Sequence, residues 1–156
     1  MKIDASSQSS MPTAAKLVGG IVLAAVGWAM TDVVMFRHAV YQEPGINHLV
    51  FTVIGFMVGW KHVGKRAEGG YRAAWGGGFS GALIAAFWVI LLMACYGVYR
   101  GMGYHAYKSV QEMLDGFVKL FVEYLVVLSD VPLLILTLSG GLLAGIFAGF
   151  AARLWR

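Results

Sequence analysis

Four apolar stretches alternate with short polar segments along the chain: Leu17 to Phe36, Ile46 to Trp60, Ala73 to Tyr99 and Val131 to Ala152. The first, third and fourth hold 20, 27 and 22 residues. At about 1.5 Å per residue each is long enough, as an α-helix, to cross a hydrocarbon core of roughly 30 Å. The second holds only 15, short for a crossing, so charge has to decide how it is read. If it crosses, Lys61, Lys65, Arg66 and Arg72 fall on the same side as Lys2 and Lys16; if it does not, they fall opposite. Because basic residues gather on the cytoplasmic side, the pattern predicts that it crosses.

Between the third and fourth stretches the periodicity changes. From Tyr104 to Leu128 the residues Val110, Leu114, Phe117, Phe121, Leu125 and Leu128 recur at three-to-four spacing, beside a polar stripe of Lys108, Glu112, Asp115, Lys119 and Glu123. That is the signature of an amphipathic helix, here at the membrane interface. Ser129-Asp130 is placed to cap the helix that follows, ahead of Pro132. Glu43-Pro44-Gly45 reads as a turn, and Pro12 suits the opening of the first helix. Residues 1–10 (MKIDASSQSS) are polar and serine-rich, too poor in apolar surface to offset the entropy of ordering, and read as a disordered tail. The expected fold is an all-α integral membrane protein in which residues 11–156 form one membrane domain. It has four transmembrane helices (about 17–36, 46–60, 73–99 and 131–152) and an interfacial helix (about 104–128) between the third and fourth spans.

Composition agrees with this pattern. The chain is 59% hydrophobic and 13% charged, with a mean hydropathy of +0.72, outside the range of soluble domains. Its net charge of +4 does not point to nucleic acid, because the basic residues flank apolar spans; anionic lipid headgroups are the expected partners. Lys2, Lys16, Lys61, Lys65, Arg66, Arg72, Arg153 and Arg156 gather on one face, and Arg37, Arg100, Lys108 and Lys119 on the other. This predicts both termini in the cytoplasm. The stretch from Gly55 to Gly81 then becomes a basic, glycine-rich hairpin, with Lys61, Lys65, Arg66 and Arg72 contacting headgroups at about 1 kcal/mol each.

The same stretch carries two near-matches to nucleotide motifs. Gly59 to Arg66 approximates a phosphate-binding loop, and Gly76-x-Gly78-x-x-Gly81 a dinucleotide fingerprint. Arg66 stands where the first motif needs a hydroxyl, and neither follows a plausible strand, so both read as accidental. The glycines read instead as small-xxx-small packing faces: Gly55/Gly59, Gly77/Gly81 and Gly141/Gly145/Gly149. Sequence leaves open whether these faces pack within the chain or against a larger complex or a second copy. Asp32 is the one acidic residue within a span and a candidate intramembrane polar site, with snorkelling to the surface as the plainer reading. Thr52, Ser80, Thr137 and Ser139 are expected to bond to helix carbonyls. His38, His48, His62 and His105 show no metal-ligand spacing, and the single cysteine, Cys95, sits in an apolar run with no partner for a redox pair. No catalytic residue, metal site or cofactor is expected, and the chain reads as a non-enzyme.

From Met11 onward the chain resembles the TrgA family of small alphaproteobacterial inner-membrane proteins, named from a tellurite-resistance locus. The resemblance is carried by Met11-Pro-Thr-Ala-Ala-Lys-Leu, Val58-Gly-Trp, Gly64-Lys-Arg-Ala, Gly70-Tyr and Gly81. The closing Gly140-Gly-Leu-Leu-Ala-Gly, Ala152-Arg and Trp155 complete it. It makes residues 1–10 look like an extension or an alternative start. The chain departs from the family pattern near Gly149, where an acidic residue is expected, and from Arg100 to Lys108, where a more basic segment is expected. The resemblance implies an inner-membrane location and an association with tellurite tolerance. Oxyanion reduction needs thiols or a redox cofactor, so a non-enzymatic role through helix contacts is the leading expectation: tolerance to oxyanions or an accessory subunit of a membrane complex. A small transporter or channel is the alternative, resting on Asp32.

Overall fold

The computed structural model describes residues 14–37, 44–67, 69–104 and 107–154. The expected tail at 1–10, with His38, Glu43, Glu68, His105, Trp155 and Arg156, lies outside them. Every element among the described residues is helical: α1 (Ala14–Arg37), α2 (Pro44–Val58), a π-helical turn (Gly59–Val63), α3 (Gly64–Ala67), α4 (Tyr71–Gly103), α5 (Val110–Leu128) and α6 (Val131–Leu154). Helices α1, α4 and α6 are each long and apolar enough to cross a membrane. The chain is an all-α, multi-pass membrane protein.

Four helical rods close into a ring. α1 packs on α2 and α6, and α4 packs on α6 and α2. The core holds small residues, among them Ala15, Ala67, Ala74, Ala144 and Ala148, with Leu23 and Val63 the larger members. Large apolar side chains such as Trp28, Phe79, Phe87, Leu92 and Phe147 instead face outward. A water-soluble bundle would bury them. Here lipid is the solvent, and close backbone approach supplies the packing.

The central hairpin is much tighter than its composition predicts. Helical backbone runs without a break from Pro44 through the π turn to Ala67, and α4 starts at Tyr71. The glycine-rich segment stays helical because its glycines are contact points. A side-chain carbon at Gly59 would fall inside the Gly19 carbonyl, and one at Gly64 inside the Lys16 backbone. The reversal is left to a short link that ends at Gly70, whose φ of 105° is a left-handed conformation that favours glycine. The π turn also points Val63 into the core, at 0% exposure. Likewise, Pro44 opens α2 rather than standing in a turn, since proline loses nothing as a first helical residue.

Helix α5 begins at Val110, later than the predicted 104. Ser109 caps it by accepting from the Glu112 amide at 3.2 Å, while the Glu112 carboxylate accepts from the Lys108 amide at 2.7 Å. It lies on α4: Phe121 meets Phe87 edge-on at 6.4 Å, and Tyr124 packs against the cluster of Ile54, Val89 and Met93. The face it buries is rotated from the predicted stripe. Phe117, Phe121 and Leu128 turn inward, whereas Val110, Leu114 and Leu125 stay exposed beside Val118 and Val122. At the α5 to α6 junction the Ser129 hydroxyl donates back to the Leu125 carbonyl at 2.9 Å.

Candidate functional site

The two ends of the bundle differ in chemistry. At one end stand Lys16, Lys61, Lys65, Arg66, Arg72 and Arg153, with no acidic residue among the described ones there. The other end holds Asp32, Arg37, His48 and Asp130. Between the two lies a small apolar cavity.

At the basic end, the π turn places His62 over α4. His62 Nε2 lies 2.9 Å from Ser80 Oγ, and Arg66 Nη1 donates to the same oxygen at 3.3 Å. The Ser80 proton is committed to the Gly76 carbonyl at 2.7 Å, so Ser80 must accept from His62, which fixes the ring with its proton on Nε2. Lys61, Lys65, Arg66 and Arg72 are all exposed. Lys16 differs: it is only 6% exposed, covered by the close approach of Gly64.

At the other end, His48 Nε2 lies 2.8 Å from Asp32 Oδ1, with the Trp28 ring 4.5 Å from the imidazole. Asp32 is exposed and His48 largely covered. Helix pairing thus gives Asp32, the candidate intramembrane polar site, a partner 16 positions away. Arg37 Nε donates to Asp130 Oδ2 at 2.7 Å, joining the end of α1 to the start of α6.

The cavity, about 70 Å³, is bounded by α1, α2, α4, α5 and α6; Met30, Phe51, Met93, Tyr124 and Thr137 are among its walls. Its two threonines bond to carbonyls of their own helices. Thr31 donates to the Gly27 carbonyl at 3.1 Å and Thr137 to the Leu133 carbonyl at 2.7 Å. Ser139 bonds to Ile135 in the same way. Thr52 is the exception to that expectation: its buried hydroxyl has no partner among the described residues.

The predicted packing glycines separate into three sets. Gly55 and Gly59 of the second rod lie against the backbone of Leu23 and Gly19 in α1; Gly141 and Gly145 of α6 lie against Gly78 and Ala74 of α4. A side-chain carbon at Gly149 would stand 3.1 Å from Ala74 Cβ, a looser fit. Gly77 and Gly81 do not face α6. They face the second rod, where a side-chain carbon would meet Arg66 Cβ at 2.7 Å and Val63 Cγ2 at 2.5 Å. Sequence reasoning missed Gly78, the glycine of α4 that meets α6. The nucleotide-like motifs are both helical, so their amides are spent on helix hydrogen bonds and form no phosphate cradle. Cys95 lies on the exposed face of α4 rather than buried. Among the described residues no three His, Cys, Asp or Glu side chains gather as a metal site.

No protein-family model, curated protein or solved structure matches the chain.

Proposed function

We propose that this chain is a four-span, non-enzymatic protein of a bacterial inner membrane, acting as a rigid helical scaffold in tolerance to oxyanions such as tellurite, alone or as an accessory subunit. The observation that carries this reading is how the small residues are used. Gly55, Gly59, Gly78, Gly141 and Gly145 all close contacts inside the bundle, while Thr31, Thr137 and Ser139 bond to their own helices. A pathway for ions would want those hydroxyls free.

The second rod, Pro44 to Ala67, is the proposed fourth span; with its π turn it is as long as α1 and α6. The exposed ridge of Val110, Leu114, Val118 and Val122 suits an α5 whose outer apolar edge meets acyl chains while its charged stripe meets water. The basic end supports a cytoplasmic placement of both termini. The tellurite association rests on the resemblance of the sequence to TrgA proteins.

The Asp32–His48 pair favours a second reading, a small ion or oxyanion transporter, because the neighbours Thr31 and Asn47 line the cavity. One experiment separates the two. In a host lacking the gene, tellurite tolerance falls; the wild-type chain and Asp32→Asn restore it equally, and Gly78→Leu does not. Undiminished tolerance in the deleted host removes the oxyanion role, and failure of Asp32→Asn alone favours the transporter.

A further inference from the structure

Lys61 stands where two apolar hollows on the outside of the bundle meet. One, of about 390 Å³, runs between α2 and α4, with Ile54, Met57, Ile84, Trp88 and Leu92 in its walls. The other, of about 320 Å³, lies beside Phe56 and Trp60, whose rings are 5.6 Å apart. Met57 and Lys61 line both. Met57 is thus a ridge between two hollows, and Lys61 is the charge at their common end.

The first hollow follows the second rod from Ile54 to His62, about 12 Å at helical rise. Its chemistry changes along that length. Leu92 and Ile54 make one end wholly apolar; Lys61 and His62 make the other polar. The His62 ring is held by Ser80, so the polar end has a fixed wall. Lys65 and Arg66 are exposed one turn further on, adding positive charge beyond it.

We propose that the two hollows hold one anionic diacyl phospholipid, an acyl chain on either side of Met57 and the phosphate on Lys61. Charge complementarity selects the occupant. A paired apolar site ending in lysine and arginine, with no described acidic residue at that end, matches two hydrocarbon chains joined at a negative headgroup. A zwitterionic lipid would bring its own cation against Lys61 and Lys65. The proposal rests on the second rod being membrane-spanning, since the hollows must lie at acyl-chain depth.

The test is native mass spectrometry of the full chain from mixed micelles holding equal phosphatidylglycerol and phosphatidylcholine. One phosphatidylglycerol should be retained per chain, in about fivefold preference, the ratio expected of one basic side chain at a phosphate. Lys61→Gln should bring the ratio to near one while a lipid is still retained. Ile84→Trp, which fills the first hollow without touching the charge, should lose the lipid at unchanged thermal stability. Inorganic phosphate at millimolar concentration should not displace it. Equal retention of the two lipids by the wild type, or a preference that survives Lys61→Gln, would overturn the proposal. Either result in a chain whose second rod is shown by cysteine labelling to cross the membrane would overturn the lipid site alone.

Discussion

Arg37 Nε lies 2.7 Å from Asp130 Oδ2, tying the last residue of α1 to the residue that precedes α6. The pair has a topological consequence. If α4 crosses once between these residues, the proposed crossing of the second rod would return the chain to one side and so account for the meeting of Arg37 and Asp130. Energetically the pair is modest, because Arg37 is 46% exposed. A double-mutant cycle with Arg37→Ala and Asp130→Ala, read by thermal unfolding in detergent, should give a coupling below about 1 kcal/mol. Both single variants should keep the fold.

Gly78 should tolerate no side chain. A carbon there would fall inside the Gly141 carbonyl and the Gly145 backbone, so Gly78→Ala must push α4 and α6 apart, at about 1–3 kcal/mol for an overpacked core. Gly76, two residues away, has nothing within 4 Å. Gly76→Ala should be neutral or stabilise by up to about 1 kcal/mol through helix propensity. Melting temperatures of the two variants in one detergent check the contrast.

These positions mark what can be read from the chain and what cannot. Long apolar stretches announce α1, α4 and α6, because length and polarity alone decide whether a helix suits lipid. The choice among Gly76, Gly77 and Gly78 depends on how α4 is rotated, which three consecutive glycines do not reveal. The π turn leaves no recognisable pattern; it is set by the contacts of Gly59 and Gly64 with α1, so a stretch that reads as a loop stays helical. His48 could not be matched with Asp32 without the register of α1 against α2. The start of α5, by contrast, was legible: Ser109-Val-Gln-Glu112 has capping-box spacing, and the broader apolar pattern upstream hides it.

Cysteine labelling tests the four-span bundle most directly. In a Cys95→Ser background, Phe36→Cys and Ser129→Cys should react with a membrane-impermeant maleimide from one side of the membrane, and Lys65→Cys from the other. Labelling of Phe36→Cys and Lys65→Cys from the same side would mean that the second rod does not cross, and would contradict both the fourth span and the topology drawn from the Arg37–Asp130 pair.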